Sequence, residues 1–420
     1  MKPLADFQEI VAFLRPGSTV VLHSACAEPR YLASQLATRA KSLHDVRLIT
    51  LMPMGEAPYA APETETHLSL TTFHPGKALR HAVNAGRVEV LRTSLGGIPK
   101  LFRDRVLKAD VVMLQLSPPD ENGRLSLGLS VDYMRAVLEQ SPLVVAEINP
   151  LMPRTCGDTR VREAAIDFVT ESRGPPQAVS AAKPDQIDQR IADNVAGLVC
   201  HGAVVQAGIG ALPELVLARL GSLRDLGIHG GIVSDSLLAL IERGAVTNAR
   251  KKHFAGKCVT TMAAGTQSFY DALHANSAVE FQPCSVTHNV DLIAELDGFC
   301  AVNSVLQIDL FGRANAERVD GKIISAPGGL PDFARGATLA KGGMSIIALR
   351  ATARGGARSN ILAQLPQDAP VTVMADHIDC VVTEYGVARL TGLDPASRAR
   401  ALIAIAHPDF RAELRKHAMR

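Results

Sequence analysis

LRPGSTVVLHSACAEPRYLASQL, residues 14–36, and CHGAVVQAGIGALPELVLARL, residues 200–220, share one pattern. In each, a Gly turn feeds an apolar strand, small residues follow, and a Pro leads into a helix with Leu at helical spacing. Gly17 to Pro29 spans 12 positions and Gly202 to Pro213 spans 11, so one residue of slippage aligns them. Further along, VVMLQLSPPDENGRLSLG (111–128) parallels VNSVLQIDLFGRANAE (302–317). Both read as a strand with Leu-Gln near its end, then a turn closing on Gly-Arg. The separations, 185 residues from Gly17 to Gly202 and 192 from Gln115 to Gln307, agree well enough to predict duplicated α/β domains. Chance likeness between βα units is the plainer alternative, and two matches in the same order favour duplication.

The rest of the chain fits that reading. VVLHSA (20–25), VRLITLM (46–52), DVVMLQL (110–116) and LVVAEI (143–148) are mostly apolar on both faces, as parallel strands covered by helices on each side must be. Between them YLASQLATRAKSL (31–43) and GKALRHAVNAG (76–86) carry apolar residues three and four apart, a helical period. The expected fold is therefore α/β, two related open α/β/α domains with mostly parallel sheets. Pro, Ser and Gly interrupt the pattern in ESRGPPQAVSAAKPDQID (171–188), which puts one domain at 1–180 and the other at 186–420.

Composition removes several classes of function. The 420 residues are 47% apolar and 20% charged, enough for a packed core and against disorder. A net charge of +2, with no Trp and no basic run interleaved with aromatics, gives nucleic-acid binding no support. Seven scattered cysteines without a CxxC pair read as thiols in a reducing compartment. MKPLADFQEIVAFLRPG at the N-terminus has charges where a signal peptide needs an apolar run, and no apolar stretch approaches bilayer length. A soluble cytoplasmic protein, a homo-oligomer such as a dimer, without membrane or nucleic-acid partners, is expected.

Two glycine-rich loops draw the eye as sites. In QAGIGALPELVLARL (206–220), Gly208, Ile209 and Gly210 follow a strand and open a helix, whose first N–H groups suit anionic or carbonyl oxygens. The loop lacks the third glycine of a dinucleotide fingerprint, and a plain βα turn reads equally well. In SAPGGLPDFARGA (325–337), Gly328 and Gly329 stand between a strand and a helix start, where adjacent N–H groups can converge as an oxyanion hole does. His229, His253, His274, His288, His377 and His407 show no metal-ligand spacing and read as packing or surface residues. There is no GxSxG elbow, and Cys300 reads as a buried inert thiol. Gln307 is the oddest residue: an uncharged amide inside the apolar alternation of NSVLQIDLFGRANAE (303–317).

Taken together, these segments resemble the acetyl-CoA hydrolase/transferase family of class I CoA-transferases, including 4-hydroxybutyrate and succinate–acetate CoA-transferases. The likeness also runs through PYAAPE (58–63), EINPLMPRTCGD (147–158), GIHGGIVSDSLLALIERGAVTNARK (227–251), VVTEYGVARLTG (381–392) and ARALIAIAHPDFR (399–411). It implies two related α/β domains with the acyl-CoA site at their interface. It further implies a nucleophilic glutamate on the strand before the aspartate of an N-S-x-x-E-x-D pattern. That carboxylate attacks the thioester, giving an acyl-glutamyl anhydride and then a glutamyl-CoA thioester. Asn303, Ser304 and Asp309 match the pattern, and Gln307 stands where the resemblance puts the glutamate.

A carboxamide cannot form the anhydride. Asp309, Glu317 and Glu384 lie in segments the family shares, so none reads as a recruited nucleophile. Glu384 is either a group near the acyl site or a helix cap. The expected function is an acyl-CoA-processing enzyme acting on a small acyl-CoA, with a small carboxylate as a possible acceptor. Either it is a diverged CoA-transferase, or it is a hydrolase in which Gln307 orients water. An engineered Glu-to-Gln trapping variant and a non-catalytic CoA-thioester binder are the alternatives. Gly96-Gly97 and Ala326-Pro327 depart from the family pattern and favour natural divergence. Gln307, Gly328 and Gly329 are the expected catalytic positions; Gly208, Ile209, Gly210, Asn303, Ser304 and Glu384 are expected to bind substrate. No metal and no tightly bound cofactor is expected, with coenzyme A entering as the substrate thioester.

Overall fold

In a computed structural model, which describes residues 1–180, 184–208 and 210–418, the chain folds as two compact units. The first contains Met1–Ser180 and Val259–Thr287, the second Ala181–Cys258 and His288–Arg420. The second domain was expected to run unbroken from 186 to 420, and here the structure differs. Val259–Thr287 packs in the first unit, where Val131 N–H donates to Thr261 O at 2.9 Å and Ala263 N–H to Leu129 O at 2.8 Å.

The sheet of the first unit has eight strands: β1 (Lys2–Pro3), β2 (Thr19–Leu22), β3 (Val46–Thr50), β4 (Leu68–Thr72), β5 (Val88–Val90), β6 (Val111–Leu116), β7 (Leu143–Ile148) and β8 (Phe168–Glu171). Their order across the sheet is β1-β8-β7-β6-β2-β3-β4-β5, every neighbouring pair parallel. Both faces of the central strands are covered, and every residue of β2 and β6 is buried. This is why these strands read as unbroken apolar runs, not as alternation.

The second unit repeats the plan with β9 (Val204–Ala207), β10 (Gly227–Ile228), β11 (Phe299–Ser304), β14 (Met344–Ala348), β16 (Cys380–Thr383) and β17 (Gly386–Arg389). A small side sheet is built from β12 (Gln307–Asp309), β13 (Ala314–Asn315) and β15 (Ile361–Leu362). The main order is β10-β9-β11-β14-β16-β17, parallel except for the terminal hairpin of β16 and β17. The run β3-β2-β6-β7-β8 of the first unit thus recurs as β10-β9-β11-β14-β16. Helix α1 (Arg30–Thr38) follows β2 as helix α3 (Ala211–Arg219) follows β9.

Topology corrects one detail of the internal repeat. Leu114 and Gln115 lie within β6, whereas Leu306 and Gln307 lie beyond the end of its counterpart β11. The residues of β11 in the same relative place are Val302 and Asn303, so the second match slips by four positions. Helix α2 (Gln186–Ala196) begins after Asp185, whose carboxylate accepts from Ile187 N–H and Asp188 N–H in a capping box with Asp188. No helix among the described residues is long and apolar enough to cross a membrane.

Candidate functional site

In an open parallel sheet, ligands are met at the carboxyl ends of strands where the winding direction reverses. In the second unit that point lies between β9 and β11, because β10 adds on one side of β9 and β11 on the other. Four residues singled out in the sequence gather there or just beyond: Gly208, Gly210, Asn303 and Ser304. The side chains of Gln206 and Asn303 hold each other, Asn303 Nδ2 donating to Gln206 Oε1 at 2.9 Å and Gln206 Nε2 to Asn303 Oδ1 at 3.3 Å. Both amides are buried. The pair ties the two strand ends together at the crevice floor.

The two glycines of this loop differ in what demands them. Gly208 continues the sheet, its N–H donating to Val302 O at 3.1 Å, and a Cβ there would touch Asn303 Oδ1 at an ordinary 3.6 Å. Gly210 has φ of +119°, which side-chain-bearing residues rarely adopt. It opens α3 without a side-chain cap, leaving first-turn N–H groups for other acceptors. Ile209 lies outside the described residues.

Past Ser304 the chain turns through Val305 and Leu306 into β12. Strand β12 pairs antiparallel with β13, Gln307 opposite Asn315, and parallel with β15. Pairing on both edges buries Gln307 to 2% exposure, and Asn315 Nδ2 donates to its Oε1 at 3.0 Å. Asn315 in turn accepts from the N–H groups of Glu317 and Arg318, so the Gln307 carbonyl is anchored to a fixed turn. Asp309 is wholly buried and structural. It accepts from Phe311 N–H and Arg313 N–H, and takes both Nε (2.9 Å) and Nη2 (2.6 Å) of Arg313.

Ser304 and Gln307 line a cavity of about 320 Å³ together with Arg350, Arg354, Arg358 and Asn360. Arg350 is tied to Asp188 at 2.7 Å and Asp185 at 3.0 Å. Arg354 and Arg358 both reach Asp320, Arg354 at 2.5 Å. Glu384 is not a helix cap: its carboxylate accepts from Ala351 N–H at 2.9 Å, holding the segment that carries the arginines. Glu317 accepts from Thr372 Oγ1 at 2.8 Å. Sequence reasoning missed the arginines, although ARGGAR (353–358) packs two of them around a glycine pair.

Gly328 and Gly329 precede helix α4 (Leu330–Leu339). Gly328 has φ of +55°, and Gly329 is an N-cap with no side-chain cap bond. Neither glycine is among the residues that line the cavity holding Gln307. A Cβ on Gly329 would come within 2.4 Å of His288 Nε2 and 2.9 Å of the Phe333 ring, and one on Gly231 within 2.9 Å of the same His288 nitrogen. Two glycine turns therefore lie against one imidazole. Burial, and then the charge of His229, pushes the His288 pKa down to about 3, so the ring is neutral. The Gly230-Gly231 doublet in GIHGGIV was the missed signal for this convergence. No group of three or more His, Cys, Asp or Glu fit to hold a metal occurs among the described residues.

Comparison with known proteins gives this geometry a family. Residues 1–180 match the acetyl-CoA hydrolase/transferase N-terminal domain and residues 265–418 the C-terminal domain of the same family. The 4-hydroxybutyrate coenzyme A transferase of Clostridium kluyveri is 36% identical, over 98% of this chain and 96% of the relative. The crystal structure of RipA from Yersinia pestis superposes with a TM-score of 0.92 at 32% identity, covering 98% of this chain and 96% of that one. A 4-hydroxybutyrate CoA-transferase structure from Porphyromonas gingivalis gives 0.83 at 32% identity, with the same coverage of both chains. With both domains matched and the relatives aligned end to end, the chain belongs to the acetyl-CoA hydrolase/transferase family and is an enzyme of it.

Proposed function

We propose that this enzyme processes a small acyl-CoA thioester at the carboxyl ends of β9 and β11, and that Gln307 occupies the place of the family's nucleophilic glutamate. One observation carries the proposal most: a single cavity joins the buried amide of Gln307 and the exposed Ser304 to an arginine-bearing rim. A thioester with an uncharged reactive end and an anionic far end needs that polarity. The names of the relatives pair CoA with small carboxylates, and the acyl group here belongs to the same range.

The neighbouring carboxylates are poor candidates for the missing nucleophile. Asp309 is held by Arg313, Glu317 by Thr372 and Glu384 by the Ala351 N–H. This commitment favours attack by water over the anhydride route. Water adds to the thioester carbonyl, the C–S bond breaks, and the CoA thiolate takes up a proton. In this reading the uncapped start of α3, whose Leu212 lines the cavity, supplies N–H groups for the substrate's oxygens. Calorimetry with acetyl-CoA and with free CoA tests the binding, and thiol release tests the chemistry. Binding of about −4 to −8 kcal/mol is expected, the millimolar to micromolar range. Absence of heat for every CoA species at millimolar concentration overturns the proposal.

A further inference from the structure

We infer that Arg354 and Arg358 are the phosphate anchor of the cavity, held until the ligand arrives by the stand-in carboxylate of Asp320. This rests on the acyl-CoA reading above. The two arginines sit on a short hairpin, Thr352–Ala353 paired antiparallel with Arg358–Ser359. Asp320 sits at the tip of a second hairpin, Arg318–Val319 paired antiparallel with Lys322–Ile323. Asp320 and Gly321 have φ of +52° and +71°, the left-handed pair that an Asp-Gly hairpin turn requires. The second hairpin also contributes Val319 to the cavity wall. The two tips meet through the carboxylate, Arg354 Nη2 at 2.5 Å from Asp320 Oδ2 and Arg358 Nη1 on Oδ1.

Charge and exposure both point to an exchangeable contact. Two guanidinium groups share one carboxylate, so the cluster keeps an excess positive charge. The Arg354 side chain is 69% exposed and Asp320 37%, which makes these pairs weak in water. A phosphate presents more negative charge and more acceptor oxygens than a carboxylate, and Arg binds it in a fork. Backbone conformation holds the donors at the rim. Arg354, Gly355 and Gly356 have φ of +53°, +67° and +96°, and a non-glycine residue adopts such a value only when its surroundings impose it. Gln307, 2% exposed, lines the same cavity. A ligand with its reactive end at the buried amide and its phosphates at the exposed guanidinium groups matches this contrast in burial, and the rest of the lining is largely apolar, Leu306 and Leu349 included.

The test compares acetyl-CoA with acetyl-pantetheine, which carries the same thioester and no phosphate. Calorimetry is run on the wild type, on the double variant Arg354→Gln/Arg358→Gln and on Asp320→Asn. The double variant is expected to lose about tenfold or more in affinity for acetyl-CoA while its affinity for acetyl-pantetheine stays unchanged. Asp320→Asn, which removes the competitor and leaves the arginines, is expected to bind acetyl-CoA more tightly and acetyl-pantetheine as before. Equal acetyl-CoA affinity in the wild type and the double variant overturns the anchor. Unchanged or weaker acetyl-CoA binding by Asp320→Asn overturns the exchange. A wild type that binds neither thioester overturns the acyl-CoA reading itself, and this inference with it. A wild type that binds both thioesters equally refutes the anchor while that reading stands.

Discussion

Gln307 and Asp309 stand two residues apart on one short strand, and their surroundings separate them. Asp309 is enclosed by donors and has no freedom to react. Gln307 is fixed through its oxygen by Asn315, and a glutamate in its place is the same length and accepts the same Asn315 bond at 3.0 Å. Burial pushes such a carboxyl upward, while the Asn315 bond favours its ionised form. Gln307→Glu is therefore expected to fold and to gain transfer of CoA from acetyl-CoA to a small carboxylate such as propionate. Borohydride cleaves a glutamyl-CoA thioester to the side-chain alcohol with release of CoA thiol, and mass analysis is expected to find that alcohol at the substituted position. A folded, CoA-binding variant with neither transfer nor adduct would place the family's nucleophile elsewhere in the chain. The oddity of Gln307 was legible because an amide breaks an apolar alternation. Its partner was not, since Asn315 becomes a neighbour only when β12 and β13 pair.

At the scale of elements, both glycine loops were legible as strand-to-helix turns, but not the reason each needs glycine. Gly-rich spelling is the same whether backbone conformation, a ligand or a neighbouring side chain excludes the Cβ. The structure separates these cases. Gly210 is demanded by its φ, Gly329 by the His288 ring, and Gly208 by neither. The Gly329 N–H was first expected to matter through a bound oxygen, yet any side chain there meets the imidazole at 2.4 Å. Gly329→Ala is thus expected to destabilise the protein by about 1–3 kcal/mol, the cost of overpacking a filled core. Gly208→Ala, meeting only a 3.6 Å contact, is expected to stay within about 1 kcal/mol of wild type. Denaturant unfolding of the two variants checks the contrast, and equal midpoints would show that His288 moves aside freely. The slip in the second repeat has a similar origin. Leu-Gln is a composition match, and only strand order tells which residue of β11 answers to Gln115.

At the scale of the whole molecule, the duplicated topology was legible from two short matches. The return of Val259–Thr287 to the first unit was not, because contacts made out of chain order leave no periodic trace in sequence. Buried titratable groups are another property of the assembled fold, and they set its response to pH. Burial holds His288 at about 3 against an ordinary 6.5. As pH falls below 6.5 the unfolded chain takes up a proton that the folded one refuses, so this stability is present above 6.5 and lost toward 3. Glu28 works the other way. Burial, partly offset by the Tyr59 hydroxyl that donates to it at 2.8 Å, raises its pKa from 4.5 to about 7. Below pH 4.5 both states hold the proton and nothing is lost. As pH rises from 4.5 to 7 the unfolded chain ionises first and the fold is weakened. Between pH 7 and pH 5 each group shifts stability by about 2 kcal/mol, in opposite directions. Glu28→Gln keeps an acceptor for Tyr59 and deletes the titration, so the loss on acidification stands uncompensated. Urea unfolding at pH 7 and pH 5 is expected to show the variant losing about 2 kcal/mol more than wild type over that interval. Parallel pH dependences in the two proteins would mean that Glu28 ionises in the fold near its ordinary value, with water reaching a carboxyl that is 3% exposed.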